Sequence, residues 1–153
     1  MNSPWNFRWI PVRPIVFTSF LLAVWTSPLR ATVDESHDYC MEAATPFVEQ
    51  GFIVREDYWN GEVKSGQKLM ISHQLFKGNE YAFWLGSASS GVQMDIKVFD
   101  EKGQPLSMDK KTQEHFMSVR VNPPKTGTYK IVFELKSKDS TESVLWALSY
   151  GYR

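Results

Sequence analysis

Cysteine is nearly missing: 153 residues carry a single thiol, Cys40. That excludes an internal disulfide framework, and with it any zinc or iron–sulfur site built on several cysteines. A surplus of charge is missing too. Seventeen basic side chains face seventeen acidic ones, so the composition supplies no basic face of the kind nucleic acid requires. No Asn-x-Ser/Thr acceptor occurs, which fits a bacterial rather than a eukaryotic exported protein. Neither a Gly-x-Ser-x-Gly elbow nor a phosphate-cradling glycine loop is present; Gly61, Gly66 and Gly78 are isolated and expected in turns.

The first thirty residues have the layout of a secretory signal. Arg8 and Arg13 precede a charge-free apolar stretch at 15–25, and Pro28 and Ala31 follow it. The stretch is about 11 residues long, against the roughly 20 that a membrane-spanning helix needs. Cleavage is expected after Ala31, by the general secretory route, with a periplasmic or secreted product that has no membrane span. Residues 1–31 hold three of the 17 basic side chains and no acid, which leaves 14 basic against 17 acidic in the product. At this length one domain is expected, divided as 1–31 signal peptide, 32–51 helical segment and 52–153 β-domain.

Within 34–50, His37, Cys40, Met41, Ala44, Phe47 and Val48 recur at steps of three and four, the stripe of an amphipathic helix. Asp34, Glu35 and Ser36 suit its start and Gly51 its end. Pro46 predicts a break near Thr45, because proline lacks the amide hydrogen and crowds the preceding turn. Beyond Gly51 the period becomes two. Leu69, Ile71 and Leu75 alternate with Lys68, Met70, Ser72 and Gln74; Tyr81, Phe83 and Leu85 with Ala82 and Trp84; and Val92, Met94, Ile96 and Val98 with Gln93, Asp95 and Lys97. Met117, Val119 and Val121, then Tyr129, Ile131, Phe133 and Leu135, then Val144, Trp146, Leu148 and Tyr150 continue the pattern. With 52–59 as an opening strand, this predicts a mainly β protein: an antiparallel β-sandwich of jelly-roll type with about seven or eight strands and one short N-terminal helix.

Residues 78–150 carry Tyr81-Ala82-Phe83, then Met94-Asp95-Ile96-Lys97-Val98-Phe99-Asp100-Glu101-Lys102-Gly103, then Thr126-Gly127-Thr128-Tyr129-Lys130-Ile131-Val132. This succession resembles the bacterial pre-peptidase C-terminal domain family. The resemblance implies a small jelly-roll sandwich of the type appended to exported enzymes. Since no catalytic domain precedes it in this sequence, a stand-alone exported form is the expectation.

Three clusters could carry chemistry. His37 and Cys40 lie one helical turn apart near Glu35, and could contribute to a zinc or copper site or a reactive thiol; Cys40 could equally be a small apolar residue packed on the stripe, or pair between molecules. Asp95, Asp100, Glu101 and Asp109 gather around the Glu101-Lys102-Gly103 turn, where calcium could bind, although Asp100 could serve only to cap the turn. The third cluster is aromatic. Tyr58 and Trp59 are adjacent and must face opposite ways on a strand, and Trp84 lies opposite Tyr81 and Phe83. Tyr58, Trp59 and Trp84 are candidate ligand-binding residues, able to stack on a sugar or anchor a partner. Trp84 and Phe99 could instead be where the helix docks, and the need to bury the helix stripe favours docking. His73 shares the face of Leu69 and Leu75 and is expected partly buried; His115 is expected in solvent. The leading functional expectation is an exported, non-catalytic binding or accessory module for an envelope protein, an exported enzyme or a polysaccharide, with no cofactor beyond the calcium option. The alternatives are a small enzyme or metal-binding protein built on His37 and Cys40, and a structural envelope component that assembles through sheet edges.

Overall fold

A computed structural model describes residues 32–153. The expected signal peptide, residues 1–31, lies outside the described residues.

The helix α1 (Val33–Val48) starts where Thr32 stops being extended. The Thr32 hydroxyl accepts the Glu35 amide at 3.0 Å, which satisfies one of the free amides of the first turn. Pro46 does not break α1. It sits in the last turn, so little helix remains beyond the bond it removes. The Thr45 hydroxyl donates to the Met41 carbonyl at 3.1 Å, and the Gln50 side-chain Nε2 donates to the Pro46 carbonyl at 2.8 Å. Gly51, at φ 89°, then turns the chain out of the helix.

Among the described residues nine strands follow: β1 (Ile53–Val54), β2 (Trp59–Lys64), β3 (Lys68–Leu75), β4 (Tyr81–Gly86), β5 (Gln93–Phe99), β6 (Asp109–Thr112), β7 (Phe116–Val121), β8 (Gly127–Lys136) and β9 (Ser143–Tyr152). All pairings are antiparallel. One sheet runs β1-β9-β4-β7-β6, with β2 also on β9; the other is β3-β8-β5. The fold is a β-sandwich. Its core lies between the sheets and includes Phe83, Leu85, Val119, Ile131, Phe133, Leu135, Trp146 and Leu148. The alternation read from 129–135 and 144–150 gives the register: Phe133 meets Trp146 at 4.8 Å between ring centroids, while Lys130 and Lys136 point to solvent.

Two strands depart from the sequence pattern. The expected opening strand at 52–59 is instead two strands laid end to end along β9, with 55–58 as the link. Phe52 belongs to neither and is buried beneath the helix. The edge strand β6, Asp-Lys-Lys-Thr, is exposed throughout and so shows no apolar alternation. Its charges also discourage pairing with another chain.

The outer face of the larger sheet is covered by α1. Cys40, Ala43, Ala44 and Phe47 pack there against Ala82, Trp84 and Ala147. Small residues on both surfaces bring the backbones close. A Cβ added at Gly86 would collide with the Ser36 carbonyl and lie 3.1 Å from the Cys40 sulfur. A Cβ at Gly151 would lie 2.7 Å from the Trp84 ring. At the far end of α1, Arg120 lies over the Phe47 ring at 5.1 Å and Arg153 over Phe52 at 5.0 Å. Glu80 pairs with both guanidiniums.

Candidate functional site

The packing of α1 decides the fate of the His37–Cys40 pair. Cys40 has no exposed surface, and its sulfur lies 3.2 Å from the carbonyl oxygens of both Trp84 and Ala147. Burial pushes the thiol up to about 12, because loss of solvent disfavours the thiolate by more than the neighbouring Ser149 and Gly86 groups favour it. The Ser149 hydroxyl is near enough to oppose that shift, yet it makes no hydrogen bond of good geometry. His37 leaves in another direction and stacks on Tyr58 at 3.8 Å. The two side chains therefore do not converge.

The aromatic candidates separate as well. Trp84 is fully buried under α1, with its ring 5.5 Å from Phe47. It holds the helix and offers no surface to a ligand. Phe99 does not share that role; it lies in β5, in the opposite sheet. Tyr58 is taken up by His37. Trp59 is half-buried against the core, packing on His73 and Tyr150 at 5.6 Å each.

The acidic cluster is dispersed into local bonds. Asp100 accepts the amides of Lys102 and Gln104 at 2.9 and 2.8 Å and so caps its turn. Glu101 accepts the Thr128 amide at 3.2 Å, and Asp95 pairs with Lys110 at 2.7 Å. Among the described residues, no three His, Cys, Asp or Glu side chains converge to hold a metal ion. His115 is half-buried rather than solvated, stacked on Tyr39 at 4.3 Å with its Nδ1 3.2 Å from the Ser87 carbonyl.

Chemistry-bearing side chains do meet at one place the sequence did not single out. A cleft of about 310 Å³ lies where the end of β3 faces β4 and β9, lined by Arg55, His73, Phe76, Asn79, Tyr150 and Tyr152 among others. Its floor is Tyr150, whose ring meets His73 at 4.5 Å. The Tyr150 hydroxyl donates to Asp57 at 3.3 Å, and Asp57 pairs with Arg55 at 3.5 Å. Burial raises the Tyr150 pKa above its ordinary value, and the nearby Asp57 charge adds to this. Burial also lowers the pKa of His73, so its ring is neutral near pH 7, with one nitrogen donating and one accepting. The rim is built by the turn after β3. The Tyr81 hydroxyl accepts the Phe76 amide at 3.1 Å and the Asn79 side chain at 3.4 Å, and so pins the turn. Phe76 is 49% exposed there, the one aromatic residue among the exposed large hydrophobic side chains described.

Arg55, Asp57, Phe76 and Tyr152 escaped the sequence reading because they come from different elements. The available signal was Tyr152, which extends the Val144–Tyr150 alternation to the end of β9. Only the pairing of β1 with the end of β9 shows that this segment lies beside Arg55.

No protein-family model and no curated protein matches the chain. Among solved structures, the chain is similar to a crystal structure of Bacillus licheniformis lipase BlEst2 in propeptide form, with a TM-score of 0.43 and 21% identity. The match covers 62% of this chain and 21% of that one.

Proposed function

We propose that this is an exported, non-catalytic β-sandwich that works as a binding or accessory module for another component of the cell envelope, with the Arg55–Tyr152 cleft as its contact surface. The observation that carries the reading is the cleft itself: an exposed Phe76 ring and a half-buried Tyr152 ring over the buried Tyr150, with polar groups at the rim. A few well-placed polar groups around an apolar floor are what binding sites generally present. The signal-like start supports export, and the resemblance of 78–150 to the pre-peptidase C-terminal domain family supports an accessory role.

Two measurements test this. Mass spectrometry of the exported protein should find a start at or within a few residues of Thr32; an intact Met1 retained in the cytoplasm overturns export. Washed envelopes of the producing cells should capture the purified protein, and the double variant Arg55→Ala/Phe76→Ala should be captured much less. Equal capture of the two overturns the cleft as contact surface.

A further inference from the structure

The ligand chemistry can be narrowed from the charge and hydrogen-bonding character of the cleft. The inference rests on the reading of the cleft as contact surface. The charged side chain lining the cleft is Arg55, and Asp57, just outside the lining and 3.5 Å from it, offsets its charge. His73 adds none near neutrality. An anion would have to draw Arg55 away from Asp57, and a cation would meet the guanidinium. The remaining polar groups are the carboxamides of Asn79 and Gln74, the neutral imidazole of His73 and the N–H groups of Arg55. Together they offer both donors and acceptors. Between them stand ring surfaces: Phe76 exposed at the rim and Tyr152 half-buried behind it, with the buried Tyr150 beneath. Apolar ring faces next to mixed, uncharged hydrogen-bonding groups complement a molecule with an apolar face and a hydroxylated edge. A sugar ring in its chair form has that character. The volume, about 310 Å³, lies at the lower end of the range for small-molecule sites, which suits one ring rather than a long chain.

We propose that the cleft is a subsite for one neutral sugar ring of a glycan, stacked on Phe76 and the half-buried Tyr152 and hydrogen-bonded by Asn79, Gln74, His73 and Arg55. Phe76 is the stacking residue most open to the ligand, and its exposure means that replacing it leaves the core intact.

The test is a screen of the purified protein on a glycan array holding neutral, acidic and cationic glycans, followed by NMR titration with the best neutral glycan found. A neutral glycan should bind, and the shifted amides should centre on Phe76, Asn79 and Tyr152. Phe76→Ala should weaken binding by about tenfold, the usual loss for a stacked aromatic anchor, while Phe76→Trp should keep it. Met70→Ala, which removes an exposed apolar side chain on the outer face of β3, should bind like the unaltered protein. Binding of charged glycans only, binding of none, or shifts centred elsewhere overturns the proposal. Periodate oxidation of the envelopes separates this outcome from failure of the broader reading. Capture that survives oxidation but still falls in Phe76→Ala leaves the cleft as a contact surface for a protein and removes the sugar. Capture indifferent to both removes the two together.

Discussion

At the scale of single residues, burial governs reactivity in this protein. Cys40 is nucleophilic only as thiolate, and its interface keeps it protonated. A thiol reagent at neutral pH should therefore label the folded protein far more slowly than the denatured one; rapid stoichiometric labelling under native conditions contradicts the packing. The same helix face shows how neighbours on one sequence stripe diverge. His37 and Cys40 are one turn apart, yet one stacks on Tyr58 and the other touches two sheet carbonyls. Spacing on a helix was legible in the sequence. The direction in which each side chain leaves the interface depends on what the sheet presents to it. Trp84 makes the same point. Its alternation against Tyr81 and Phe83 placed it on the outer face correctly, but whether that face meets water or a helix is a tertiary matter.

At the scale of elements, α1 and the outer face of the larger sheet are matched by small residues. Gly86 admits the Ser36 carbonyl and Gly151 admits the Trp84 ring. Gly86→Ala should destabilise the protein by about 1–3 kcal/mol, the usual cost of overpacking a tight contact, as read from denaturant melts. The same variant should label at Cys40 faster, because the helix must move outward. Gly61→Ala is the control: its Cβ would lie 3.5 Å from Trp146, an ordinary contact, so it should cost less and leave labelling slow. A Gly86→Ala protein as stable and as protected as the original would show that the helix is not seated as described. The elements that resisted sequence reading have a common cause. β6 is an exposed edge strand and β2 is half exposed, so neither needs the full apolar alternation that marks a buried strand. The helix passes through Pro46 because the proline falls in its last turn and Phe47, wedged between Phe52 and Trp84, holds that turn on the sheet.

For the whole molecule, stability rests on the layer between the two sheets. Phe133 and Trp146 meet there from opposite sheets. Phe133→Ala and Trp146→Ala should each cost about 3–5 kcal/mol, the range for emptying a buried aromatic site. Domains of this size have about 5–15 kcal/mol in total, so either variant should melt at much lower denaturant. Lys130→Ala and Lys136→Ala, on the solvent face of the same β8, should stay within about 0.5 kcal/mol. Lys136 pairs with Glu134 at 3.3 Å, but such exposed pairs contribute little. Equal losses from the lysine and aromatic variants would mean that the two faces of β8 have been exchanged.

By itself the sequence determined the class of the fold, the helix that precedes the strands and the inward face of the six strongly alternating strands. These follow from local periodicity, and a one-residue slip would bury Lys130 and Glu134. The tertiary structure alone decided which strands are neighbours, and hence the site. Arg55, His73, Phe76 and Tyr152 are scattered along nearly a hundred residues of chain. They share a cleft because β1 pairs with the end of β9 while β3, in the opposite sheet, ends beside them. Periodicity reports which way a side chain points from its own strand. It carries no record of which strand lies across from it, because that depends on non-local pairing between segments far apart in the chain.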